Sequence, residues 1–372
     1  MKTATPVKFF IHPDIAALDP YVPGKPIAAL ERELGISGAI KLASNENPLG
    51  PSKKAVAAVR TGLKNIARYP DGAGQDLSDA LAARWRVPRA QIVLGNGSDE
   101  IIALLARVCL MPGDEAVMAR PTFSIYRLTV AAAHARPVEI PLKAGRHDLA
   151  AMARAVTPKT RLIFVCNPNN PTGTMVSQAE VARFLARVPK RVLVVFDEAY
   201  AEYATAPDFP RMTTWVREGA PVVMLRTFSK IYGLAGLRIG YGVGPLAVMD
   251  AIQRVRAPFN TNLLAQGAAL AALSDDTHVA RALAVNREGM AYLTRQLDAM
   301  GLAYFPSQGN FICFTLNGTD DAAGQRVYAA LLRQGVILRH FAGRTLRVTL
   351  GLPRENRRFI RALKSILSHR AI

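Results

Sequence analysis

The sequence predicts an α/β protein, with a mainly parallel sheet sandwiched by helices and followed by a smaller α+β unit. Three observations carry this. From Gln91 onward, short apolar runs alternate with helical patterns, which is how a parallel sheet covered on both faces reads. The runs Leu162–Cys166, Val192–Phe196 and Val222–Leu225 are continuously apolar, as strands buried on both faces must be. The length of 372 residues exceeds one compact core and implies two domains.

Taken in order, residues 1–40 contain Pro13, Pro20, Pro23 and Pro26. They form an extended arm with one short helix over Ile27–Leu34. Ser44–Gly50 is a polar turn, and Ser52 is placed to cap a helix running to about Leu63. Arg68–Gly72 is a second turn, before a helix over Gln75–Trp85. The alternation then runs strand Ile92–Leu94, helix Asp99–Leu110, strand Ala116–Ala119 and helix Ser124–Ala133. It continues with strand Leu162–Cys166, helix Gln178–Arg187, and strands Val192–Phe196, Val222–Arg226 and Arg238–Val243. A helix from Ala247 leaves the sheet. Beyond it, helices Ala265–Leu273 and His278–Met300 mix with strands Phe311–Leu316 and Leu346–Leu350. The expected division is an arm (1–40), a large domain (41–258) and a small C-terminal domain (259–372).

Composition narrows the function. The net charge is +19, but the Arg and Lys residues are scattered, with no basic tail and no block interleaving aromatic and basic residues. That pattern argues against nucleic acid; steering of an anionic small substrate accounts for the charge more simply, and a solvated arginine-rich surface more simply still. Cys109, Cys166 and Cys313 are far apart and odd in number, so a reducing, cytoplasmic setting without a disulfide framework is expected. The six histidines are dispersed in sequence, and no metal site is expected. The N-terminus lacks a signal-peptide pattern and no apolar stretch reaches spanning length, so no membrane role is expected.

In open parallel sheets, ligands bind beyond the carboxyl ends of the strands. There, Leu162–Cys166 runs into Asn167-Pro168-Asn169-Asn170-Pro171-Thr172-Gly173. Val192–Phe196 runs into Asp197-Glu198-Ala199-Tyr200, and Val222–Arg226 into Thr227-Phe228-Ser229-Lys230. An amide, a carboxylate with a phenol, and a lysine thus meet at one rim. A lysine fixed by its surroundings suits covalent amine chemistry with an aldehyde cofactor, and hydroxyls with Arg238 suit that cofactor's phosphate. The plain alternative is a strand end with a surface lysine. The Gly95-Asn96-Gly97-Ser98-Asp99-Glu100 loop fails the dinucleotide fingerprint, because Glu100 stands where the third glycine belongs. It still offers a helix N-terminus to one phosphate.

One phosphate, a lysine, a carboxylate and an aromatic describe pyridoxal 5′-phosphate. GNGSDE, PTF (Pro121–Phe123), NPNNPTG, DEAY and TFSK with GLAGLR resemble the fold-type I aminotransferases. With PYVPGKP (Pro20–Pro26), SNENPLGPS, RYPDG and LRVTLG (Leu346–Gly351), the chain is similar throughout to the histidinol-phosphate aminotransferase family. The resemblance implies that Lys230 is the imine lysine and proton carrier, and that Asp197 pairs with the pyridinium nitrogen. It implies Tyr200 and Asn170 on the 3′ oxygen and Phe123 over the ring, where many relatives have tyrosine. Ser98 and Asp99 N–H groups, with Thr227, Ser229 and Arg238, would take the phosphate. Tyr69 resembles a residue that reaches this phosphate from the other subunit, implying a homodimer with shared active sites.

The substrate follows by the same route. Arg347 matches the arginine that binds a substrate's alpha-carboxylate, Arg339 the one associated with the phosphate of histidinol phosphate, and Tyr21 a tyrosine lining that pocket. The resemblance thus implies transamination between L-histidinol phosphate and 2-oxoglutarate. The same framework serves aromatic aminotransferases and threonine-phosphate decarboxylases, and these stay open. The segment between Arg339 and Arg347 is shorter than in many relatives, and Arg344 lies within it.

Overall fold

The computed structural model describes residues 11–368. The first ten residues of the expected arm, and with them most of the N-terminal stretch read for a leader, lie outside that range. The strands are β1 (Ile40–Lys41), β2 (Ile92–Gly95), β3 (Glu115–Arg120), β4 (Arg136–Pro141), β5 (Thr160–Cys166) and β6 (Leu193–Asp197). They continue as β7 (Val222–Thr227), β8 (Gly240–Val243), β9 (Ala303–Tyr304), β10 (Phe311–Thr315), β11 (Val336–Ile337), β12 (Arg339–His340) and β13 (Thr345–Thr349).

Seven strands form the large sheet in the order β2-β8-β7-β6-β5-β3-β4. The pairings β4–β3–β5–β6–β7 are parallel, whereas β8 is antiparallel to both β7 and β2. The predicted apolar runs form its centre, and their side chains alternate between two cores, as period-2 geometry requires. Ile163, Val165, Val194, Phe196, Val222 and Met224 face one core. Leu162, Phe164, Leu193, Val195, Val223 and Leu225 face the other.

Helices predicted from capping and periodicity fall close to their expected places. Ile27–Leu34 and Gln75–Trp85 coincide with the prediction. Ser52 accepts the Ala55 N–H at 3.2 Å and caps Lys53–Gly62. Elements that the sequence did not reveal include β4 and the short helices Leu149–Arg154 and Met212–Arg217. Pro137 and Pro141 argue against a central strand, and β4 is in fact the sheet's edge, where proline is tolerated.

A four-stranded antiparallel sheet, β12-β13-β10-β9, holds a separate core with Leu42, Val327, Leu331, Phe359 and Leu363. Its helices Ala323–Arg333 and Pro353–Ser368 were also not singled out in the sequence, although Val327/Leu331 and Phe359/Ile360/Leu363 recur at helical spacing. The Leu263–Leu273 helix packs elsewhere. Its Ala265, Ala268, Ala269 and Ala272 belong to the large-sheet core, so residues just past 258 sit with the large sheet. No helix of the described residues is long and apolar enough to cross a membrane.

Candidate active site

The adjacent strands β5, β6 and β7 end together, as the sequence implies. The turns that follow them wall a cavity of about 440 Å³, a size suited to a small ligand. Of the predicted site residues, Tyr21, Ser98, Asp99, Phe123, Asn170, Asp197, Tyr200, Thr227, Ser229, Lys230, Arg238, Arg339 and Arg347 all line it. Tyr69 does not. It is 81% exposed and stacks on Phe259 with ring centroids 4.7 Å apart.

Asp197 closes β6 and is buried. Its Oδ2 accepts from the Tyr126 hydroxyl at 2.6 Å and its Oδ1 from the Ala199 N–H at 3.2 Å. Burial pushes its carboxyl up to about 6, against the opposing pull of the Tyr126 hydrogen bond. Lys230 Nζ, just past β7, donates to the Ser44 carbonyl at 3.0 Å and lies 5.6 Å from the centre of the Tyr200 ring. Burial, reinforced by the nearby Arg347 charge, brings this amine down to about 8. An amine so tuned is available as a base near neutrality, which an ordinary surface lysine is not.

One end of the cavity is a cradle of donors that suits an anion. The Ser98–Cys109 helix begins there, and the N–H groups of a helix's first turn have no partners within the helix. Arg238 reaches across it, donating to Ser229 Oγ, Ala235 O and Asp99 Oδ2, each at 3.3 Å. Thr227 Oγ1 accepts the Ser229 N–H at 3.0 Å. Two glycines keep the cradle open. A Cβ at Gly97 would stand 2.4 Å from Arg238 Nη2, and one at Gly240 would stand 2.6 Å from the Ser98 nitrogen.

The opposite wall comes from the small sheet. Arg347 on β13 is buried. It donates through Nη1 to Asn170 Oδ1 and through Nη2 to the Ala43 carbonyl, and lies between the Phe311 and Phe341 rings. Its register partner Arg339 on β12 donates to the Val22 carbonyl at 2.6 Å and lies over the Tyr21 ring. The short segment between them is a tight turn closed by the Phe341 N–H on Thr345 O at 3.1 Å. Arg344 points away from the cavity and donates to Leu316 O at 2.9 Å. What the turn contributes to the cavity is therefore Phe341, not Arg344.

Asn167 and Asn169 shape the turn that follows β5. Asn167 Oδ1 accepts the Val176 N–H at 2.9 Å, and Asn169 bonds Thr122, Thr172 and the Pro121 carbonyl. Several residues escaped the sequence reading. Asn45 donates to the Tyr200 hydroxyl at 2.9 Å and is locked by Thr349; it stands inside the SNENPLGPS motif that carried the resemblance. Tyr126 and Phe341 gave no local signal. Neither did the grouping of His12, Asp14 and His134, whose ligand-type atoms lie within 4.8 Å of one another. Asp14 Oδ2 stands 3.5 Å from an Nδ1 of each histidine.

Comparison with known proteins places the chain in a family. Residues 37–363 match the family "Aminotransferase class I and II". The histidinol-phosphate aminotransferase of Moorella thermoacetica is 51% identical over 95% of this chain and 92% of its own. Histidinol-phosphate aminotransferase 2 of Pseudomonas aeruginosa is 48% identical over 96% and 97%. Among solved structures, the histidinol-phosphate aminotransferase of Sinorhizobium meliloti, in complex with pyridoxal 5′-phosphate, superposes with a TM-score of 0.88. It is 28% identical and covers 96% of this chain and 98% of its own. The chain belongs to the class I and II aminotransferases, among the histidinol-phosphate aminotransferases.

Proposed function

We propose that this chain exchanges the amino group of L-histidinol phosphate with 2-oxoglutarate, giving imidazole-acetol phosphate and L-glutamate. The observation that carries the choice of substrate is the pair Arg339 and Arg347, side by side on β12 and β13 and lining the same cavity as Lys230. Two guanidiniums in register suit a phosphate, or the carboxylates of the second substrate, by forked hydrogen bonding.

The residues present fit pyridoxal 5′-phosphate, the cofactor of this aminotransferase class. The glycine-kept cradle suits its phosphate, the buried Asp197 carboxylate its ring nitrogen, and Phe123 its ring face. Tyr200 and Asn170 would meet its ring oxygen, and Lys230 would carry it. When bound, the cofactor supplies an electron sink for the substrate carbon that gives up its proton.

Everything else falls to the chain. Lys230 Nζ holds or releases a proton near neutrality, because burial and Arg347 disfavour its charged form. Asp197 is ionised above about pH 6 and keeps a proton on any basic nitrogen set against it. Arg347 is already oriented by Asn170 and Ala43, so little side-chain entropy remains to be lost on binding.

Further parts of the reading concern assembly. The exposed Tyr69–Phe259 stack, with Leu63 and Ile66 beside it in sequence and 49% and 65% exposed, suits a second copy of the chain. Tyr69 would then complete the partner's phosphate cradle. The chain divides into the 1–40 arm, a large cofactor-binding domain and a small substrate domain. The large core's hold on Leu263–Leu273 favours a boundary after that helix over one at 258. A cytoplasmic setting fits the three free cysteines.

Assaying the purified protein separately with histidinol phosphate, phenylalanine and threonine phosphate tests the substrate. Transamination of histidinol phosphate is expected, and turnover of phenylalanine alone would overturn the assignment.

A further inference from the structure

We propose that Tyr126 is a positioning residue that holds Asp197 as an oriented carboxylate through its buried hydroxyl. The inference rests on the reading of Asp197 as the partner of the cofactor's ring nitrogen. Tyr126 is fully buried in the first turn of the Ile125–Ala132 helix, directly after the cavity wall formed by Phe123 and Ser124. Its ring lies parallel on Phe164, with centroids 4.9 Å apart and planes 6° apart, and edge-on to Phe123 at 5.6 Å. The ring therefore has one place to be, and its hydroxyl meets Asp197 Oδ2 at 2.6 Å.

The direction of that hydrogen bond is fixed. Burial, the Asp197 charge and the Cys166 thiol all hold the phenol well above its ordinary range, so the hydroxyl keeps its proton and donates. A donor aimed at a carboxylate favours the charged form, whereas burial favours the neutral one. The other groups acting on Asp197 divide. Lys230 favours its charge and Asp99 opposes it. Glu198, Tyr200 and Cys166 are the remaining titratable neighbours, and burial pushes each of them toward its uncharged form. Of the two hydrogen bonds that Asp197 accepts, the Ala199 N–H at 3.2 Å is the longer. Tyr126 is thus the principal contact opposing desolvation. It also ties the residue that covers the cofactor ring, through Phe123, to the residue that meets the ring nitrogen.

The test is the affinity of cofactor-free protein for pyridoxal 5′-phosphate, measured by fluorescence quenching across pH 5–9. In the unaltered protein, affinity falls as pH drops through about 6, where Asp197 takes up a proton. In Tyr126→Phe that midpoint moves up by about one unit, leaving binding roughly fivefold weaker near pH 6, close to tenfold weaker at pH 5, and the gap narrower above pH 8. Phe164→Leu loosens the packing of the same ring but keeps its hydroxyl, and it moves the midpoint by clearly less than Tyr126→Phe does. Replacing Tyr126 with 3-fluorotyrosine, whose hydroxyl is a stronger donor, moves the midpoint down. Equal midpoints in Tyr126→Phe and the unaltered protein, or an equal shift in Phe164→Leu, would overturn the proposal. Asp197→Asn separates the two readings. If it binds cofactor as the unaltered protein does, the placement of the ring nitrogen at Asp197 is wrong; if it binds weakly while Tyr126→Phe is normal, only the role of Tyr126 fails.

Discussion

Replacing Arg339 with alanine removes a guanidinium that lies over Tyr21 and donates to the Val22 carbonyl. The expected loss can be worked from the contact it would make. A hydrogen bond to a charged group contributes about 1.5–3 kcal/mol. Arg339 is only partly buried and one of its N–H groups is already taken by Val22, so the lower half of that range applies. At about 1.4 kcal/mol per tenfold, kcat/KM for histidinol phosphate should fall roughly ten- to fortyfold. The phosphate-free analogue L-histidinol serves as the control, because it carries the same amine and imidazole. Its kcat/KM should change by less than about threefold, which corresponds to losing only uniform, non-phosphate contacts. Arg339→Lys should fall between, since it keeps the charge and loses the fork. Steady-state assays on both compounds decide the matter. Equal losses on the two would refute phosphate recognition by Arg339 and leave it as an anchor for the arm.

Other consequences can be checked with the same material. In cofactor-free protein, Lys230 should be acylated with a pH midpoint near 8, below that of surface lysines, as read by peptide mass spectrometry. Arg347→Met should raise that midpoint, because a neighbouring positive charge is lost. Arg226→Met strands the fully buried Glu198, which Arg226 Nη2 now meets at 2.7 Å. The melting free energy should drop by about 3–5 kcal/mol. The drop should be smaller at pH 5 than at pH 8, because Glu198, already pushed up to about 7, needs no counter-charge once protonated. Adding Glu198→Gln should recover much of the loss; no recovery would mean that the pair is not what Arg226 supports. For assembly, mixing Tyr69→Ala with Lys230→Ala should restore activity that neither parent has, since a mixed dimer holds one intact site. Failure of complementation would place Tyr69 outside the partner's cradle.

Much of this was legible because of where the strands lie. β5, β6 and β7 are buried on both faces, so their runs are unbroken by polar residues, and the residues ending them had to sit at one rim. Lys230, Asp197 and Asn170 were visible for that reason. β8 reads like its neighbours although it runs the other way, because an apolar run carries no direction. β4 was hidden by its prolines. Tyr126, Asn45 and Phe341 were hidden by distance: Tyr126 meets Asp197 across 71 positions and Asn45 meets Tyr200 across 155. Nothing local marks a tyrosine at helical spacing as anything but core. The pairing of His12 with His134 around Asp14 was equally invisible to an eye for spacing along the chain.

The hold of Arg339 on the Val22 carbonyl bears on how such an enzyme can change over generations. A backbone oxygen is supplied by any residue, so substitutions at position 22 leave the arginine's aim unaltered. What the contact does depend on is how far the arm reaches, and Pro20, Pro23 and Pro26 stiffen that reach by fixing their own φ angles. Drift in the side chain at position 22 should thus be nearly neutral for substrate choice. A single inserted or deleted residue along 18–26 would move the carbonyl by about 3.3 Å or more and redirect the guanidinium. Specificity at this site is inherited as a length.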